Sequence, residues 1–191
     1  MDCRARRVDA LRSRVFLLWP GARHTSLEKL DLSFVLGLVL AFTIGSLVQA
    51  YLTRRNLKLR EKTLGAFKRL AFILPVTREE RARFAAVSIT AGVCEEVWYR
   101  GFLIRYLSDF PWHAGLLTAL GISSIAFGMA HGYQGLAGIL GTALLGAFMA
   151  VIFVVTGSLW LPIALHAIID LRVLFLLRPG ELIPLSTPSN A

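Results

Sequence analysis

Charge is scarce in this chain: 17% of its 191 residues are Asp, Glu, Lys or Arg, against a hydrophobic share of 55%. With a mean hydropathy of +0.62, that scarcity argues against an ordinary soluble domain of this size and points to a membrane protein. Cysteine is nearly missing. Cys3 and Cys94 are too few and too far apart for a disulfide framework or a cysteine zinc site. Cys94, with no basic neighbour in sequence, reads as a small core residue. No linker composition divides the chain, so a single bundle is expected. A secretory leader is not indicated either, because "VFLLWP" is short for an apolar core and Asp2 and Asp9 intrude.

Acidic residues are few as well, 12 against 21 Lys and Arg, and the net charge of +9 raises the question of a nucleic-acid partner. Position answers it. Seven of the 21 bases lie in residues 1–31 and ten in 53–83, with no aromatic or polar readout groups arranged among them. Basic clusters beside apolar spans set topology and touch anionic headgroups, so the expected partner is the lipid bilayer and no nucleic acid.

Apolar runs fill the rest. Residues 32–52, "LSFVLGLVLAFTIGSLVQAYL", carry no charge and suffice to cross a bilayer. The basic stretch that follows has Leu64, Phe67, Leu70, Ala71 and Leu74 at helical spacing, which predicts an amphipathic interfacial helix ended by Pro75. Four more helices are expected near 84–107, 112–131, 135–156 and 159–177, separated by "SDFPW", "HGYQG" and "TGS". Gly115, Gly121, Gly128, Gly135, Gly138, Gly141 and Gly146 are candidates for close helix approach. The predicted fold is all-α: a polytopic bundle of about five spans plus the interfacial helix. Its parts are a basic arm (1–31), the first span with its basic amphipathic segment (32–83), a helical core (84–177) and a tail (178–191). The ten bases put 53–83 in the cytoplasm. A single first span then leaves the basic arm outside, unless that arm enters the membrane near "VFLLWP".

Against this background seven ionisable side chains stand out at membrane depth: Glu95, Glu96, Arg100, His131, His166, Asp170 and Arg172. Each costs several kcal/mol, about 2.5–3.5 for a charge at a helix centre. Glu96 and Arg100, four apart, suit an ion pair; Glu95 points about 100° away and is left to face a cavity. His166 and Asp170 are also four apart and share a face, as do Phe127 and His131. A carboxylate with two imidazoles can activate water, stabilise an oxyanion and protonate a leaving amine. The plain alternatives are packing: His131 as a helix-to-helix hydrogen bonder, Glu96 and Arg100 as a structural pair, and Trp98, Tyr99, Trp112 and Trp160 as packing or interface residues.

The stretches "EEVWYR" (Glu95, Glu96, Arg100), "FGMAH" (Phe127, His131) and "HAIID" (His166, Asp170) resemble, in order, the EExxxR, FxxxH and HxxxN/D motifs of the CPBP intramembrane endopeptidases. That family includes CAAX prenyl endopeptidases and bacterial proteins linked to bacteriocin processing or self-immunity. The resemblance covers about residues 84–177. It implies a glutamate-type protease of the bacterial inner membrane, in which Glu95 activates water with His131 near it and His166 and Asp170 form the oxyanion side. Asp170 stands where the prenyl-processing enzymes have an amide. An ionised aspartate cannot donate a hydrogen bond, so Asp170 would be protonated or would orient His166. Counting along the spans, however, puts His131 nearer the cytoplasmic end than Glu95, so a helix boundary must shift or a helix tilt for the two to meet.

Glu95, His131 and His166 would also supply three ligands of an open zinc site, but HExxH is absent and the resemblance implies no obligatory metal or other cofactor. The expected function is hydrolysis of a peptide bond in a membrane-associated or lipidated protein. The alternative is a non-enzymatic immunity or scaffold protein of the same fold; an ion pathway would want an inverted repeat, which the sequence lacks.

Overall fold

The computed structural model describes residues 32–67, 70–109 and 112–177. The basic arm expected at 1–31 and the tail at 178–191 lie outside the described residues. Every described element is helical. Helix α1 (Leu32–Arg55) is free of charge until Arg54, and its 24 residues reach about 36 Å. Within the described residues, Val35–Arg55 and Gly132–Thr156 are long and apolar enough to cross a bilayer.

Helix α2 (Leu57–Phe67) is shorter than the predicted amphipathic helix. The chain has already turned before Pro75: Ile73 N–H bonds Leu70 O at 3.0 Å, and Leu74 is buried against the bundle while Phe72 stays exposed. A residue before proline disfavours the helical region, in keeping with the place of Leu74 outside any helix.

Helix α3 (Arg78–Glu96) starts six residues before the apolar run that marks it in the sequence. The cause is a capping box: Thr77 Oγ1 accepts from Glu80 N–H at 3.1 Å, and Glu80 Oε2 accepts from Thr77 N–H at 2.9 Å. The helix continues unbroken as a π-helical segment (Val97–Leu103) and ends in α4 (Ile104–Ser108). Then come α5 (Leu116–Ala130), a single 3-10 turn (Gly132–Gln134), α6 (Gly135–Thr156) and α7 (Trp160–Leu176). Of the "SDFPW" break, Phe110 and Pro111 lie outside the described residues.

Two short helices share one long one. Helix α7 packs along α3, and α5 packs along the π segment and α4. Register follows from single contacts: Ser123 Oγ donates to Tyr99 O at 2.8 Å, so α5 runs antiparallel beside the second half. Arg81 Nη1 donates to Leu177 O at 3.0 Å and Nη2 to Leu174 O, so α7 ends beside the start of α3, its last carbonyls satisfied by a cation. Helices α5 and α7 therefore overlap only around residues 92–100 of the long helix.

Core packing brackets that overlap. Ile104, Leu120, Phe153 and Ile163 form one buried cluster, and Val35, Met149, Ile152 and Leu165 tie α1 to α6 and α7 in another. Large apolar side chains also cover the outside, with Leu136, Leu140 and Leu144 making an exposed stripe along α6; such a surface suits lipid and is a liability in water. Of the seven candidate glycines, Gly128 and Gly146 sit at close approaches. A Cβ on Gly128 would lie 2.6 Å from Ile139 O and 2.7 Å from Ala143 Cβ, whereas at Gly115, Gly121 or Gly141 it would meet nothing within 4 Å. Cys94, expected in the core, is exposed: it precedes Glu95 and Glu96 on α3 and takes the outward face because they turn inward.

Candidate active site

The overlap zone holds the polar residues. Glu96 is fully buried and Arg100 nearly so; Arg100 Nη1 donates to Glu96 Oε1 at 2.9 Å, and Nη2 donates to Gly146 O at 3.1 Å. The guanidinium also lies 4.3 Å from the centre of the Phe127 ring, a cation–π contact. Gly146 is what admits it, since a Cβ there would press on Phe127 at 3.0 Å and Arg100 at 3.3 Å. The buried charge thus has a counter-ion, a carbonyl and an aromatic face, which is what lowers the cost of keeping it at depth.

His166 sits between the two carboxylates of the doublet. Its Nδ1 is 2.8 Å from Glu96 Oε1, while Nε2 is 3.8 Å from Glu95 Oε2 and 3.8 Å from Asp170 Oδ2. Adjacent residues separated by about 100° on a helix can straddle one imidazole in this way. His131 arrives from the other side. It lies just past the end of α5, and its ring folds back to place Nδ1 2.8 Å from Phe127 O and Nε2 3.9 Å from Glu95 Oε2. Counting along uniform spans puts His131 deeper toward the basic end than Glu95. The fold-back of the ring removes that offset, while α5 ends at Ala130, within one residue of its expected end.

Phe127 is the hub of the packing. Its ring contacts Tyr99 at 5.1 Å, His131 at 4.8 Å and His166 at 5.8 Å between centroids. All seven motif residues, Glu95, Glu96, Arg100, Phe127, His131, His166 and Asp170, therefore converge. Three further participants had no separate signal in the sequence: the Gly146 carbonyl, the Tyr99 ring, and Ser123, whose hydroxyl holds the Tyr99 carbonyl. Trp98 faces outward and stacks on Phe102 at 5.0 Å, and Trp112 and Trp160 are exposed.

Glu95 Oε2 is buried and accepts no hydrogen bond among the described residues, although the Glu95 side chain as a whole is 32% exposed. A buried carboxylate oxygen left open toward two imidazoles, at distances too long for direct bonds, is the mark of a place for a third party. Among the described residues no group of three or more His, Cys, Asp or Glu is arranged to hold a metal ion.

No curated protein and no solved structure matches the chain significantly. A family model does: type II CAAX prenyl endopeptidase Rce1-like, over residues 77–172. The match begins at the capping threonine of α3 and runs through α7 to Arg172, so it takes in every residue of the convergent set. Its members are membrane-integral proteases of CAAX type, which act on membrane-associated proteins. A helical bundle with membrane-length apolar helices, carrying the three motifs at one point, thus belongs to the Rce1-like family of type II CAAX prenyl endopeptidases.

Proposed function

We propose that the chain is an intramembrane endopeptidase that hydrolyses a peptide bond of a membrane-associated or lipidated protein, with Glu95 as general base. One observation carries the reading: the unbonded Oε2 of Glu95 lies 3.9 Å from His131 Nε2 and 3.8 Å from His166 Nε2. Such separations suit groups that share one water.

The partners of the two rings fix their tautomers. A backbone carbonyl only accepts, so His131 Nδ1 donates to Phe127 O. Glu96 Oε1 already accepts from Arg100, so His166 Nδ1 donates to it as well. Neutral rings then present bare Nε2 atoms. Together with a Glu95 carboxylate, three acceptors face one another, and a water has only two hydrogens to give. The cluster is satisfied when it holds one more proton, and an imidazole beside Asp170 is the group suited to carry it.

With that proton on an imidazole, the division of labour follows. Water attacks the carbonyl carbon as Glu95 takes its proton. The imidazolium N–H stabilises the oxyanion, and protonated Glu95 returns its proton to the leaving amine as the C–N bond breaks. Asp170 positions and stabilises the charged ring. This division of labour asks for no resident metal, and cleavage is expected to survive dialysis against a chelator.

The same reading takes α1, the run from α3 to α4, α5, α6 and α7 as five crossings of a bacterial inner membrane with the basic end in the cytoplasm. Exposed apolar residues on each run support it, including Ile89 and Val93 on α3, Ile122 and Ile125 on α5, and Ile168 and Phe175 on α7.

The test does not require the substrate to be identified first. Protein termini are profiled in membranes from cells expressing the wild type or Glu95→Gln, which keeps size and removes the base. A set of termini present with the wild type and reduced by about 10²–10⁴-fold in the variant is expected; identical terminal profiles would overturn the role given to Glu95.

A further inference from the structure

A second site lies between α1 and α7, in a cleft of about 60 Å³ that includes none of the residues of the convergent set. Thr43, Leu47 and Ala50 form one wall, and Leu165, Ile169 and Arg172 the other, each set at i, i+4, i+7 spacing. Apart from Arg172 the cleft carries no charge. Arg172 Nη1 reaches Gln49 Oε1 at 3.5 Å, which marks the polar end. Because Gln49 is six residues before Arg55, and α7 ends against Arg81, that end points toward the basic face of the bundle.

Arg172 Nε is buried and bonds no acceptor among the described residues. The carboxylate nearest in sequence, Asp170, lies 3.8 Å from His166 Nε2 and attracts Arg172 through space without bonding it. The outer end of the guanidinium, held by the exposed 3.5 Å contact to Gln49 Oε1, offers N–H donors in a fork that matches phosphate oxygens. The apolar walls extend from it toward the middle of α1, away from the headgroup level. One cation at the interface end and an uncharged slot leading inward is the layout of a phospholipid, head and chain.

We propose that this cleft binds one anionic phospholipid, with its phosphate on Arg172 and the first carbons of one acyl chain between α1 and α7. The full chain is purified, equilibrated with equal amounts of phosphatidylglycerol and phosphatidylcholine, and its retained lipid is weighed by native mass spectrometry. The wild type is expected to keep one phosphatidylglycerol in preference by about tenfold, and diacylglycerol with the same chains should not displace it. Arg172→Gln is expected to abolish the preference. Leu47→Trp, which fills the slot and leaves the cation, is expected to lose retention of both lipids. Equal retention of the two lipids by the wild type, or displacement by millimolar inorganic phosphate, would overturn the proposal. So would a preference that persists in both variants, because the basic face at large would then be the binder. If Arg172→Gln does not fold, the diacylglycerol competition and Leu47→Trp decide the matter.

Discussion

Glu96 and His166 are bound through a single carboxylate oxygen, Oε1, which also receives Arg100. Removing the charge at Glu96 therefore strands a guanidinium that is 1% exposed and frees the ring that the proposed chemistry needs held. Glu96→Gln is expected to destabilise the fold by about 3–5 kcal/mol, the range for an uncompensated buried charge, measured as a fall in thermal midpoint in detergent. Glu95→Gln, partly exposed and unbonded at Oε2, should leave that midpoint nearly unchanged while stopping cleavage. These two neighbours separate stability from chemistry. Their distinction was legible in the sequence, because spacing of four pairs Glu96 with Arg100 and leaves Glu95 over. The second bond of Arg100 was not legible: a backbone carbonyl on α6 has no residue type to announce it, and only the close pass of Gly146 brings it within reach.

The elements obey local rules that the apolar pattern hides. The start of α3 is written in Thr77 and Glu80, a capping box in a polar stretch, and a search for hydrophobic runs passes over it. Backbone amides of Thr77 and Val76 hold the Glu80 carboxyl below the usual carboxylate range. Its folded-state value lies below its unfolded one, so the stabilisation is present above the unfolded value and is lost as pH falls through the lowered folded value. Protection of the first amides of α3, measured against the intrinsic exchange rate at each pH, is expected to fall only in acid, and in Glu80→Gln that acid response should vanish. The π segment had no such signature. Ile104 N–H bonds Tyr99 O, and the same carbonyl accepts from Ser123, so the extra residue per turn is stabilised from α5, beyond the segment's own sequence. Among the glycines, Gly128→Ala should destabilise by about 1–3 kcal/mol because backbone must give way. Gly121→Ala, facing open space, should be tolerated; parallel unfolding curves check both.

At the scale of the whole molecule, the ends of α1 and α7 and the start of α3 share one basic face, with Arg54, Arg55, Arg78, Arg81 and Arg83 around it. Single cysteines at Asn56 and Thr77, in an otherwise cysteine-free chain, should react with an impermeant maleimide from one side of sealed vesicles only. Those at Asp109 and Gly157 should react from the opposite side, and labelling of all four from one side would refute five crossings. Among the described residues, the order of the apolar helices was readable because apolar runs in so uncharged a chain have few other uses. Their relative depth was not, since it turns on the His131 ring folding back past the end of α5 toward Phe127 O and Glu95.

Because α5 and α7 cover different halves of one long helix and coincide only in its middle, the molecule can grow at either pole without moving its centre. Four residues inserted near the start of α5, or after the last turn of α7, would thicken the protein to match another bilayer and leave the glutamate where it is. A single residue inserted between Gly92 and Glu95 would swing the doublet by about 100° and dismantle the arrangement. Length is therefore a free variable in this architecture, and phase along the shared helix is not.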